Sequence, residues 1–432
     1  MHRLLALALM LEATMSTLAA APSLDRRIDD ASKKVEASVI ATRRDIHQNP
    51  ELGNRELRTA KLVADKLNAL GIETRTGVAH TGVVGILRGG KPGHVVALRA
   101  DMDALPVVEQ VDIPFASKVR TTYNGQDVGV MHACGHDAHV AILLGVAEVL
   151  AGVRDDIPGT VVFLFQPAEE GAPEGEEGGA ELMVKEGALD NPKVDAVFGL
   201  HVTSRFPIGE IAYKPEGMMA AVDSLKIKVH GKQTHGAYPW LGVDPIVVAS
   251  QIVLGLQTIP SRQLDSTVAP SIVTIGAIHG GVRNNIIPEE VEMIGTLRSL
   301  DAKMRDEIHA RVKRTAESIA ASGGATATVT IETGYPIVYN DPVLTQRIAP
   351  TLRRVAGLEN TRVVNPVLGA EDFAFFQQKS PGVFFWLGTR PPNQTPEEAA
   401  SNHSPLFYID ERGLELGVRA LAHVAIDYLG GK

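Results

Sequence analysis

The chain has 432 residues but only one cysteine, Cys134. No intrachain disulfide can form, so the fold has to stand on packing alone. Basic charge is also short: 42 Lys and Arg face 51 Asp and Glu, a net charge of −9, and no basic run offsets it. That balance excludes nucleic acid as the main partner, because neutralising phosphates needs clustered Lys and Arg. No stretch approaches the roughly 18 apolar residues of a membrane span. There are no internal repeats, and the only biased tract is the Glu/Gly-rich segment 169–179. With 44% hydrophobic and 22% charged residues, a fibrous or disordered chain is excluded as well. At roughly 150 residues per domain, the length fits two or three domains.

What the sequence does contain begins with an export pattern. Met1-His2-Arg3 is a short basic start, residues 4–11 are apolar, and Leu18-Ala19-Ala20-Ala21-Pro22 reads as an A-x-A-like cleavage site near Ala21. Residues 1–21 are therefore expected to be a signal peptide, with the mature protein periplasmic or secreted. Glu12 and the short apolar run speak against a permanent membrane anchor. A lone thiol in an oxidising compartment is either buried and inert or held by a partner, and the neighbours of Cys134 favour the second.

Residues 24–70 read as helical, stopped by Gly71. Four short apolar runs, 93–99, 159–165, 194–200 and 383–387, alternate with helical stretches such as 138–150. This is the pattern of an α/β fold with a mixed central sheet covered by helices on both faces. Sites in such sheets form beyond the carboxyl ends of strands, and acids or histidines follow three of the four runs. Residues 219–332 have another rhythm: strand 224–230, helix 243–259, strands 271–278 and 287–298, helix 304–321, strand 326–332. That βαββαβ order is ferredoxin-like. It reads as a domain inserted between two parts of the first, 22–218 and 333–432.

Residues 131–139, Met-His-Ala-Cys-Gly-His-Asp-Ala-His, pack three imidazoles, a thiol and a carboxylate into nine positions. Thiolate and imidazole are ligands for a borderline metal, and coordination would account for the lone cysteine. The bland alternative is a helix start rich in polar residues. Glu169-Glu170 follows an apolar run. Such a pair is often a solvated loop, but it can also divide metal binding from general-base work. His201 and His403, each taken alone, are as readily satisfied core histidines as ligands.

Taken together, several stretches resemble the M20 family of metallopeptidases, in particular its branch of N-acyl-amino-acid, hippurate and auxin-conjugate amidohydrolases. They are Arg44–Gly53, Arg99–Pro106, His132–Asp137, Gln166–Glu170, Gly199–His201, His235–Pro239, Asn285–Glu289, Gly369–Phe373 and Asn402–Pro405, in one order along nearly the whole mature chain. The resemblance implies a zinc-exopeptidase-like fold with an inserted lid and dimerisation domain. It implies two divalent metal ions (Zn, Mn, Co or Ni) bridged by Cys134, with His136 and His201 completing one and Glu170 and His403 the other. Glu169 would be the general base. Asp103 matches a position that orients a ligand histidine in related branches, although Asp101 stands where those branches have that histidine. His132 and His139 fit packing roles. His235 and Asn285 match positions that reach the substrate carbonyl or carboxylate, in some relatives from the neighbouring protomer. Trp240 stands where many relatives have histidine, and the acidic loop 171–179 is longer than in many.

The implied reaction is hydrolysis of the amide of a small N-acyl or N-aroyl amino acid, with no nucleic acid and no membrane anchor involved, and a homodimer formed through the lid. Cleavage of dipeptides or N-acetyl amino acids is the alternative within the same chemistry. Two others lie outside it: Cys134 as a nucleophile with a histidine base, and a non-catalytic binding protein on the same fold.

Overall fold

The computed structural model describes residues 22–431. The expected export signal, residues 1–21, lies outside the described residues. Helix Leu24–Gln48 starts on Ser23, whose side chain accepts the Arg26 N–H, and buries Ile28, Val35, Val39 and Ile46 along one stripe. It does not continue to residue 70. Pro50 disfavours helical backbone at Asn49, and a second helix, Leu57–Ala69, begins after an extended link. In that link the Glu51 carbonyl accepts the Ala104 N–H, tying the link to the chain beyond strand Lys91–Asp101.

The main sheet has eight strands, in the order Glu73–Val78, Gly82–Arg88, Pro158–Gln166, Lys91–Asp101, Ala196–Pro207, Gly382–Arg390, Ile211–Tyr213 and Thr361–Val363. The third to sixth of these are mutually parallel, so their carboxyl ends share one edge. Alternate residues feed two cores. Val383, Phe385 and Leu387 face helices Leu24–Gln48, His136–Ala151 and Leu414–Leu429. Phe384 and Trp386 face the short helices Gly179–Lys185 and Ala374–Lys379.

Between Ala221 and Thr333 the chain forms a separate four-stranded antiparallel sheet, in the order Ser271–Gly280, Glu290–Ser299, Ala221–His230, Thr326–Thr333. Helices Pro245–Thr258 and Ala302–Ser322 cover one face, with Leu225, Ile227, Met293, Leu297, Ile252 and Val312 in a core of their own. The other face is open. One edge differs from the sequence pattern: the strand expected from residue 287 starts at Glu290. Pro288 lacks an N–H for the ladder, and Ile286–Ile287 pairs instead with Thr234–His235. The entry and exit of this unit lie side by side, with Asp223 opposite Thr333 and Val222 exchanging backbone hydrogen bonds with Gly334 and Tyr335. Among the described residues no helix is long and apolar enough to cross a membrane.

Candidate metal centre

The carboxyl edge of the parallel strands gathers the sequence-predicted ligands. Cys134 and His136 flank Gly135 at the start of helix His136–Ala151. Gly135 has φ 95°, and a Cβ there would lie 2.4 Å from Val202 Cγ2, so this turn requires glycine. His201 sits within strand Ala196–Pro207, in register with Trp386. Glu169 and Glu170 leave strand Pro158–Gln166 through Ala168, at φ 50°. His403, at φ 71°, is pinned by its N–H to the Ala133 carbonyl, and Asn402 donates to the carbonyls of Cys134 and Val202. Left-handed backbone at two non-glycine residues is strain held by surrounding bonds, a pattern concentrated at functional sites.

Two ligand sets share the cysteine. The donor atoms of Cys134, His136 and His201 lie within 4.8 Å of one another, as do those of Cys134, Glu170 and His403. Cys134 Sγ is 3.3 Å from His201 Nε2 and 3.3 Å from His403 Nε2. The His201 Nδ1–H donates to the Val202 carbonyl at 2.7 Å, which leaves Nε2 as the free lone pair facing the thiol. His136 Nδ1 lies 3.2 Å from Asp103 Oδ1, which turns its Nε2 inward. That Nε2 is buried without a hydrogen bond, and so is Glu170 Oε1, although His403 Nε2 approaches it to 3.0 Å. Two orphaned buried atoms among a thiol, imidazoles and a carboxylate fit a pair of divalent cations, whose charge and coordination would satisfy both.

Charge points the same way. Asp101, Glu371 and Asp372, with Glu169 beside the last two, surround the guanidinium of Arg99, which is wholly buried and bonded to Asp101, Glu371, Asp372 and Gln166. Burial, with Glu371 and Glu170 adding to it, pushes the Glu169 carboxyl well above its ordinary pKa. Burial lowers His136, but Asp101 and Asp103 outweigh it and raise the ring to about 10. Burial together with Glu170 and Glu169 pushes the Cys134 thiol well up.

Asp103 serves both halves of the site, since its Oδ2 accepts the Glu170 N–H at 2.9 Å. Asp101 bonds Arg99 and, at 2.5 Å, His139 Nδ1. His139 Nε2 accepts the Val202 N–H, so both of its nitrogens are engaged within the protein. His132 is fully buried, with neither ring nitrogen bonded, and burial lowers it to about 3.

Cys134, Glu170, His201 and His403, with Glu169, open into a cleft of about 570 Å³ also lined by Met219, Val222, Val367, Trp386, Tyr335 and Arg298, while His136 lies behind them outside its lining. Sequence reasoning missed Tyr335 and Arg298. Arg298 sits on the open face of its strand, where the alternation Val291, Met293, Leu297 could have marked it as facing away from the local core. Nothing in the sequence marks Tyr335. His235 and Asn285 come together, with the Gly236 N–H donating to the Asn285 carbonyl, but they are exposed and do not line the cleft. Trp240 beside them is 74% exposed, its ring near Tyr238 rather than packed in a core. The acidic loop is tethered through Glu176 to Arg55 and Asn54.

Residues 97–427 match peptidase family M20/M25/M40. Thermostable carboxypeptidase 2 of Saccharolobus solfataricus is 45% identical over 94% of this chain and 99% of its own length. The IAA-amino acid hydrolase ILR1-like 2 of Arabidopsis thaliana is 39% identical over 91% of this chain and 86% of its own. The crystal structure of Bacillus subtilis YXEP, a dinuclear metal binding peptidase, superposes with a TM-score of 0.77 at 35% identity, covering 92% of this chain and 99% of that one. The match spans most of the sequence as well as the fold: this chain belongs to peptidase family M20/M25/M40.

Proposed function

We propose that the protein is a binuclear metal-dependent amidohydrolase that cleaves N-acyl or N-aroyl amino acids to the free amino acid and the carboxylic acid. The observation that carries this is the pair of ligand sets sharing Cys134, with Glu169 beside them in one cleft. Cys134, His136 and His201 would hold one ion, and Cys134, Glu170 and His403 the other. Bound there, divalent cations supply Lewis acidity, favouring ionisation of water and stabilising charge on the scissile carbonyl oxygen. Glu169, its proton affinity raised by burial and by Glu371, takes the proton of the attacking water and passes it to the leaving nitrogen. Arg298 is half-buried at the cleft and makes no ion pair among the described residues. Its guanidinium is the group for the free carboxylate of the amino acid. Met219, Val222, Val367 and Trp386 offer an apolar wall to the acyl group or side chain.

The metal is one of Zn, Mn, Co or Ni, and the thiolate leans toward zinc. A second reading, cleavage of short peptides from the carboxyl end, is favoured by the likeness to an archaeal carboxypeptidase and by a cleft roomier than an acetyl group needs. Two further readings complete the proposal: export directed by residues 1–21, and a homodimer in which the partner subunit's His235 and the partner subunit's Asn285 reach the cleft.

The test is amino acid release from a panel of N-acetyl, N-benzoyl and N-indolylacetyl amino acids and blocked dipeptides, run metal-loaded and after exhaustive chelation. Release that stops on chelation and returns with metal is expected. Release that ignores the chelator refutes the metal mechanism. Glu169→Gln is expected to keep its metal and lose about 10²–10⁴-fold in kcat. Mixing Glu169→Gln with His235→Ala subunits tests the dimer: recovery to about a quarter of wild-type activity is expected if each cleft takes its histidine from the other chain. No recovery on mixing removes that part.

A further inference from the structure

The peptide between Glu169 and Glu170 is held at both ends. Its N–H donates to Asp103 Oδ2 at 2.9 Å, and its carbonyl oxygen, that of Glu169, accepts the Tyr335 hydroxyl at 2.8 Å. A planar peptide turns as a unit, so its orientation sets the direction in which both carboxylates leave the backbone. The preceding residue, Ala168, is at φ 50°, a conformation costing on the order of 1–2 kcal/mol for a residue with a Cβ. The loop therefore relaxes elsewhere unless something holds it. Asp103 belongs to the main sheet's edge. Tyr335 does not: it lies on the link, residues 334–337, by which the inserted unit returns to the main one after strand Thr326–Thr333, its carbonyl accepting the Val222 N–H. The residue before it, Gly334, donates to Asp223 Oδ1, and Asp223 is gripped by Arg305 and His309. One tyrosine thus connects the junction of the two units to the backbone of the residue assigned as base, and its ring is fixed edge-on against Phe375 at 6.0 Å.

We infer that Tyr335 is a positioning residue: through its hydroxyl it aligns the Glu169–Glu170 peptide, and it makes that alignment depend on the position of the inserted unit. A rotation at the Val222/Gly334 junction moves the Tyr335 hydroxyl relative to Glu169, so the base points correctly only with the unit in place. The inference rests on the amidohydrolase reading for what Glu169 does, but not for how it is held.

Tyr335→Phe keeps the ring and removes the one bond. Expected are a roughly tenfold loss of kcat, on the scale of one hydrogen bond, KM within about twofold, unchanged metal per chain, and faster amide exchange confined to residues 168–171. A rise in KM with kcat intact would make Tyr335 a substrate contact and overturn the inference, as would unchanged exchange at 168–171. Asp223→Asn supplies the second arm. It should lower kcat a few-fold in the wild-type background and add nothing once Tyr335 is phenylalanine. Additive losses would show that junction and base are not connected through this residue. If the metal-loaded wild type releases no amino acid, the functional reading fails by itself, while the exchange measurement still decides whether the hydroxyl holds the loop.

Discussion

The main unit and the inserted unit are each tied together by the same device, a helix presenting Arg and His four residues apart to a buried aspartate. In the main unit Arg43 and His47 of helix Leu24–Gln48 close on Asp137 at 2.7 and 2.8 Å. In the inserted unit Arg305 and His309 of helix Ala302–Ser322 close on Asp223, the histidine at 2.6 Å. The surroundings differ. The first clamp is sealed, with no side chain more than 3% exposed, and Glu109 and Glu411 take up its remaining donors. The second is open on the histidine side, where His309 is 25% exposed. Asp137 directly follows His136, so the sealed clamp anchors the helix that begins with this candidate ligand. Asp223 stands where the chain enters the inserted sheet. A charge cluster sealed from water is strongly penalised when broken and acts as scaffold, whereas one open to water can be remade at modest cost and suits a junction.

The largest effect that tests this contrast is on stability. Arg43→Ala leaves Asp137 buried without its guanidinium, while Glu411 keeps that of Arg44, and a loss of about 3–5 kcal/mol is expected by chemical denaturation, with reduced metal retention. Arg305→Ala removes the equivalent group where water can enter, so about 1–2 kcal/mol is expected, accompanied by faster proteolytic cleavage near residues 220 and 334. Equal losses in the two variants would show that burial does not distinguish the clamps. A drop in metal content for Arg305→Ala equal to that of Arg43→Ala would contradict the division between scaffold and junction.

The same contrast accounts for what the sequence disclosed. Candidate site residues that are close along the chain, or that end an apolar run, stand out in the sequence: Cys134 and His136 by spacing, Glu169, Glu170 and His201 by their place after strands. The alternating strands and amphipathic helices of the inserted unit were legible too, because period 2 and period 3.6 are local properties. Boundaries moved where proline intervened, at Pro50 and Pro288. What stayed hidden is pairing at long range. Arg43 and His47 visibly share a helix face, but nothing near them announces Asp137, 94 positions away. Tyr335 has no motif, since its meaning is a bond to a carbonyl 166 positions earlier. His235 and Asn285 stand out in the sequence as a matching motif, yet within one chain they lie outside the cleft.

The smallest effect separates the clamps by pH. Burial alone would lower the pKa of His47, but Asp137 and Glu109 outweigh it and hold the ring above its ordinary value. A folded-state value above the unfolded one, about 6.5, means stability fully present below that pH and lost as pH rises through the raised value. Asp223 runs the other way. Burial raises its carboxyl, but hydrogen bonds from Arg305 and His309 outweigh it and depress the value. Its contribution is present above the unfolded value, about 3.9, and fades as pH falls toward the depressed one. The sealed clamp therefore contributes an alkaline limb to the stability curve and the open clamp an acid limb. Asp137, depressed in the same manner with burial outweighed by Arg43 and His47, adds an acid limb of its own. Denaturation midpoints of wild type and Asp223→Asn, measured from about pH 3 to about pH 9, should converge toward the acid end and run parallel on the alkaline side. His47→Gln should flatten the alkaline side and leave the Asp223 difference in place. If Asp223→Asn instead altered the alkaline limb, the two units would titrate as one, and the separation drawn between scaffold and junction would not hold.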